Sequence, residues 1–101
     1  MIVRAWRGVA SADKASGYAA HFERSVAPEL KAIHGFLGAS LLRNERGGEV
    51  EFLVLSKWTS IEAIKAFAGS EISRAVVEPE ARAALLRFDE HVTHYEVERE
   101  I

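Results

Sequence analysis

The sequence predicts an α+β fold in the order β-α-β-β-α-β: a ferredoxin-like, four-stranded antiparallel sheet carrying its helices on one face. Three observations predict it. β-Branched and aromatic segments open and close the chain, "IVRAWRGV" (2–9) and, within "DEHVTHYEVE" (89–98), "VTHYEV". Two β-prone runs flank Gly47-Gly48 in "GFLGASLLRNERGGEVEFLVLSKW" (35–58). Between these, apolar residues recur at spacings of three and four, the helical period.

Taken in order, strand one runs over 2–9, ending at glycine and small residues. Ser11 or Asp13 opens a helix whose stripe is Ala15, Ala19, Phe22, Val26, Leu30 and Ile33. Pro28 falls inside that stripe; lacking an N–H and crowding the carbonyl four residues back, it predicts a kink or a restart. Gly35 is a natural stop. Gly47-Gly48 takes positive φ readily and suits a tight hairpin turn between strands two and three. Thr59 and Glu62 have capping-box spacing for the next helix, with Ile61, Ile64 and Phe67 or Ala68 buried and Gly69 at its end. "SEISRAVV" (70–77) reads as a short helical piece, and Pro79 starts "PEARAALLRF" (79–88), since proline is tolerated at a first helical position. The last strand follows.

Composition narrows the function classes. At 101 residues the chain reads as one domain, 1–101, and 49% hydrophobic content supplies an ample core. A net charge of −2, with acids and bases interspersed, argues against nucleic acid. An RNA-recognition domain shares this order of elements but needs aromatics among basic residues on strand three, where this chain has "EVEFLVLSKW". The absence of cysteine excludes disulfides and thiolate chemistry and fits a cytoplasmic location. No apolar run approaches the length of a membrane span.

The strands are apolar on both faces. Strand three reads Phe52-Leu53-Val54-Leu55; strand one carries Ile2 and Trp6 on one parity and Val3, Ala5 and Val9 on the other. An antiparallel sheet with one wet face alternates instead. Helices on one side leave the other side's apolar residues uncovered, and a second copy, sheet against sheet about a twofold axis, covers them. The alternative is a monomer in which 70–88 wraps underneath.

Residues 54–71, "VLSKWTSIEAIKAFAGSE", together with "RAWRG" (4–8), "HGFLGASLLR" (34–43) and "VTHYEV" (92–97), resemble the antibiotic biosynthesis monooxygenase superfamily over nearly the whole chain. The resemblance implies a dimeric α+β barrel, a homodimer of facing sheets with a small-molecule pocket in each protomer between sheet and helices. It implies oxygenation of aromatic, polyketide-like substrates with no metal or flavin cofactor, although siblings include isomerases, haem-degrading enzymes and members with no known activity. Haem degraders resemble one another in an asparagine on strand one, a tryptophan late in the second helix and a later histidine. The corresponding places here hold Trp6 and Arg7, Phe67, and Val76 or Val77, which argues against haem chemistry.

Candidate site residues follow from strand parity. His91 and His94 are three apart, so they face opposite sides of a strand and cannot chelate one metal; His94 and Glu96 share a face, but two ligands make a poor site. Cofactor-free oxidation of a phenol or enol requires its anion, and His94, with an ordinary pKa near 6.5, is the candidate proton acceptor. The competing reading is a hydrogen-bonded histidine on an edge strand or a dimer contact. Arg4, Trp6 and Trp58 share even parity, so Arg4 is the candidate anion-stabilising cation, the tryptophans a candidate aromatic wall, and Tyr18 a candidate lining hydroxyl. Plain core packing is the alternative for both tryptophans. His21 falls off the apolar stripe and reads as surface or interface, His91 as solvated and His34 as a helix-end residue.

Overall fold

A computed structural model describes all residues, Met1–Ile101. The elements are β1 (Ile2–Ser11), α1 (Ala15–His21), a π-helical turn (Phe22–Val26), α2 (Ala27–Lys31), β2 (Phe36–Arg46), β3 (Glu49–Trp58), α3 (Ile61–Ala68), α4 (Pro79–Ala84), β4 (Arg87–Phe88) and β5 (Thr93–Glu96). The sheet order is β2-β3-β1-β4, with β5 on the same edge of β1 as β4, and every pairing is antiparallel. The expected ferredoxin-like topology is therefore present, with its last strand in two pieces.

Register decides which side chains meet. Arg4 pairs with Ser56 and with His94, Trp6 with Val54, and Ile2 with Trp58, so these residues share the face under the helices. Two clusters fill that face. Ala10, Ala15, Tyr18, Val50, Phe52 and Ala81 form one; Leu30, Trp58, Ala63 and Ile64 form the other. Because Ala81 packs with Tyr18 and Phe52, α4 lies on the same side as α1, and the segment 70–88 does not wrap beneath the sheet. The opposite face, with Val3, Ala5, Leu42, Leu53, Leu55 and Tyr95, has no helix over it; Leu42 is 45% and Tyr95 58% exposed.

Several local expectations are corrected. Neither Ser11 nor Asp13 caps α1; the capping position is Lys14, whose N–H is taken by the Ser11 carbonyl. At Pro28 the expected restart is present: α2 begins at Ala27 with the proline in its first turn. The preceding turn widens to π-helix, with Ala27 N–H donating to the Phe22 carbonyl, five residues back, so helix continues through the proline. The cap of α3 is Ser60 rather than Thr59, its side chain accepting from Ala63 N–H. Residues 70–77 are not helical: Arg74 bridges to His91 in antiparallel fashion, with Ala75 N–H to the Glu90 carbonyl and Val92 N–H to the Ser73 carbonyl. This pairing draws 90–92 away from β1, just after Asp89 N–H has donated to the Arg7 carbonyl, and splits the last strand. The helix predicted over 79–88 stops at Ala84, where the chain turns into β4.

Candidate functional site

Between the two core clusters the helices and the sheet do not meet fully, and a cavity of about 60 Å³, open on one side, remains. That volume holds a few waters. The sheet contributes Arg4, Trp6, Val54 and Ser56; the long helix contributes Tyr18, His21, Phe22, Val26 and Leu30; Phe67, Val76, Val77, Glu78, Ala81 and Val92 complete the wall. Eleven of the fifteen lining residues are hydrophobic, so any occupant has an apolar body, and its orientation falls to the few polar groups. No helix of the chain is long and apolar enough to cross a membrane.

Arg4 is the most constrained of those groups. It is 4% exposed, and its guanidinium donates from Nη1 to the Ile72 carbonyl and from Nη2 to the Arg74 carbonyl at 2.9 Å. Nη1 also lies 3.0 Å from His94 Nε2. Arginine has no acceptor, so this contact is a hydrogen bond only when His94 is neutral with its proton on Nδ1. Burial lowers the Arg4 pKa to about 10, still charged at neutral pH. His94 is pushed down by desolvation and by the Arg4 charge, both of which penalise its protonated form. His94 is not among the residues lining the cavity.

Tyr18 is 3% exposed and packs on Phe52 at 5.0 Å and Trp6 at 6.1 Å between ring centres. Burial pushes its phenol well above the ordinary value, so it stays a neutral hydroxyl. Trp6 closes the wall beside it, its indole N–H donating to the Asp89 carbonyl at 2.7 Å. Gly8 makes this placement possible, because a Cβ there would lie 2.8 Å from the Trp6 ring. Trp58 is fully buried behind the wall: it meets Phe36 and Phe67, and its indole N–H donates to Ser56 Oγ at 2.9 Å. The structure thus brings Arg4, Trp6 and Tyr18 together, with Trp58 and His94 one layer back.

His21, expected at the surface or an interface, is instead 2% exposed and lines the cavity. Its Nδ1 is 3.1 Å from Glu80 Oε2, and its Nε2 is 3.8 Å from Glu78 Oε1 and has no hydrogen-bond partner. The buried side of α1 is Ala15, Tyr18 and His21, a three-residue spacing. The expected stripe assumed one unbroken α-helical phase through Phe22 and Val26, and the π turn shifts that phase. The pattern Tyr18-x-x-His21, read together with an acid-bearing helix start at Glu78-Pro79-Glu80, is the signal that could have found the site.

Residues 1–79 match the antibiotic biosynthesis monooxygenase family. The chain belongs to that family. Among solved structures, a Bacillus cereus protein assigned to the antibiotic biosynthesis monooxygenases superposes with a TM-score of 0.71 at 20% identity, covering 100% of this chain and 94% of that one. One from Deinococcus radiodurans, also assigned there, gives 0.68 at 17% identity, with 100% and 96% coverage. SnoaB of Streptomyces nogalater, a cofactor-independent oxygenase, gives 0.65 at 14% identity, with 99% and 96% coverage. Comparison with curated protein sequences finds no match. These likenesses establish the ferredoxin-like α+β fold. Trp6, Phe67, Val76 and Val77 border the cavity, and Arg7 does not.

Proposed function

We propose that this chain is a homodimeric, cofactor-independent monooxygenase that binds a small aromatic or enolisable molecule in the cavity and oxidises it with dioxygen. The observation that carries this reading is the apolar cavity under the helices, with Arg4, Tyr18 and His21 converging on it. The apolar wall receives the ring, the Tyr18 hydroxyl donates to an oxygen on it, and the Arg4 charge favours the anion that must form before dioxygen can take an electron. Two of the five Arg4 N–H groups remain once Ile72, Arg74 and His94 are served. Trp58 supports the wall by fixing Phe67 and Ser56. His94 enters as the acid–base candidate named from the sequence, but its lone pair is engaged by Arg4, so taking a substrate proton there requires releasing that bond. The small volume means that an aromatic ring enters only as the wall gives way. The irregular 70–78 segment, where Val76 is 43% exposed, is the part able to yield.

Oxygen uptake in the presence of a hydroquinone panel, run beside quenching of tryptophan fluorescence, tests the reading. Uptake that depends on both protein and hydroquinone supports it. Quenching without uptake makes the chain a small-ligand binder, and neither signal removes the cavity from consideration as a site. Uptake unchanged in His94→Ala takes that residue out of the chemistry.

A further inference from the structure

We propose that His21 is the proton acceptor of this cavity, that Glu80 positions it, and that the ligand is a neutral molecule presenting a phenolic or enolic hydroxyl rather than a carboxylate. This rests on the small-molecule reading above and adds the group that takes the proton and the polarity of what is bound.

A carboxylate only accepts hydrogen bonds, so the 3.1 Å contact between Glu80 Oε2 and His21 Nδ1 places the imidazole proton on Nδ1. Arg24 Nη2 donates to the other Glu80 oxygen at 2.7 Å and holds the carboxylate in that pose. Nε2 of the neutral ring is then a bare lone pair, buried and unpartnered. Buried polar atoms are nearly always satisfied; this one has no partner and belongs to a residue that lines the cavity, so a ligand donor that reaches it gains a hydrogen bond the protein does not supply. What satisfies a lone pair is a donor. The second polar group at this end is the Glu78 carboxylate, 3.8 Å from Nε2, which repels an anionic ligand and accepts from a hydroxyl. Both features select a hydroxyl.

The same geometry favours proton transfer. The ligand O–H bond breaks, an N–H bond forms at Nε2, and the electron pair stays on the ligand oxygen as phenolate or enolate. The imidazolium so formed keeps its Nδ1–H on Glu80 and gains Glu78 beside Nε2, a carboxylate for each ring nitrogen. His94 offers the opposite surroundings, with a guanidinium at its lone pair. Glu78 lies in the segment between the Arg74–His91 bridge and Pro79, so displacing that segment uncovers Nε2.

The experiment uses 4-nitrophenol, whose phenol and phenolate absorb at different wavelengths, bound to the intact protein below the pH at which the free probe ionises. The wild type is expected to hold the probe as phenolate and to bind it more tightly than 4-nitrobenzoate. His21→Asn is expected to bind it as neutral phenol, Glu80→Gln to hold less phenolate at the same pH, and His34→Gln, at an exposed position away from the cavity, to match the wild type. In turnover of any hydroquinone found active, His21→Asn is expected to fall by about a hundredfold or more. Should His21→Asn fail to fold, the nitrogen NMR shifts of wild-type histidines decide: Nδ1–H with bare Nε2 at His21 is required, and the other tautomer overturns the proposal. A probe bound but left neutral by the wild type overturns the role of His21 while leaving the small-molecule reading intact. A preference for the benzoate overturns the ligand polarity. No binding of either probe sinks both readings together.

Discussion

Arg4 Nη1 and His94 Nε2 lie 3.0 Å apart, on residues paired across β1 and β5, and the bond between them exists only while the imidazole is neutral. Its consequence is a pH dependence of stability. Folding lowers the His94 pKa below its ordinary 6.5, through desolvation and the Arg4 charge, so the unfolded chain binds this proton more readily. The stabilisation is whole above pH 6.5 and is lost as pH falls from there through the lowered folded value. Gln at 94 keeps an acceptor for Arg4 but does not titrate. Urea midpoints at pH 7.5 and pH 5 are expected to converge in His94→Gln relative to the wild type. Equal pH sensitivity in the two proteins would mean that the pair is not coupled to folding.

The same arginine fastens the irregular segment beside the cavity through the Ile72 and Arg74 carbonyls. Lysine keeps the charge but cannot span both oxygens with a planar fork. Losing charge-assisted bonds to these part-buried carbonyls costs about 1–3 kcal/mol each. Arg4→Lys is therefore expected to lower the urea midpoint and to speed proteolysis within residues 70–78. Cleavage at the wild-type rate would show that Arg4 does not hold the segment.

Gly8 and Trp6 make a steric test of the cavity wall. A Cβ at Gly8 would lie 2.8 Å from Trp6 Cη2 and 3.3 Å from Leu85 Cδ1, so Gly8→Ala forces the indole to shift. Overpacking of this kind costs about 1–3 kcal/mol. The expected result is a shifted tryptophan emission and weaker binding of any aromatic that quenches the wild type, with the far-ultraviolet circular dichroism unchanged. An unaltered emission and affinity would place Trp6 outside the wall.

The cap of α3 shows how far the sequence was legible. Thr59 and Glu62 satisfy the capping-box spacing, yet Ser60, one residue later, accepts from Ala63 N–H, while Thr59 N–H is spent on the Gly35 carbonyl. A long-range contact invisible in the local pattern decided between two adjacent hydroxyls. Ser60→Ala is expected to cost about 1 kcal/mol and Thr59→Ala much less, read as denaturant midpoints. The topology was legible because strand parity and helical period are local properties of the chain. Residues 70–77 were not: Ile72, Val76 and Val77 carry an apolar spacing that a helix would satisfy, but a turn at Ile72–Ser73, pairing of 73–75 with Glu90–Val92 and the grip of Arg4 keep them out of helix. Parity also grouped Arg4, Trp6 and Trp58, whereas the register that brings His94 beside Arg4, and the depth beneath the helices that separates lining Trp6 from enclosed Trp58, depend on pairing and packing that parity does not encode. His21 was missed for a related reason, since a polar residue was read as surface and the π turn moved the buried stripe onto it.

The uncovered sheet face bears on assembly. Val3, Ala5, Leu42, Leu53, Leu55 and Tyr95 lie side by side in register, while Arg7 with Glu51 and Arg87 with Glu49 supply charge toward the hairpin end. An apolar centre with a charged margin is the composition of a stable interface. Facing sheets about a twofold axis would set Leu55, paired with Ala5 and Ser40 in mid-sheet, close to its symmetry mate's surroundings. Glutamate there places two unpaired carboxylates in that centre, an expense of several kcal/mol and thus a weakening of about a hundredfold or more. Wild-type protein at micromolar concentration is expected to sediment at twice the 11.2 kDa chain mass, and Leu55→Glu at 11.2 kDa with its circular dichroism retained. A wild-type mass of 11.2 kDa would leave the apolar face to some other occupant and remove the dimer from the proposed function.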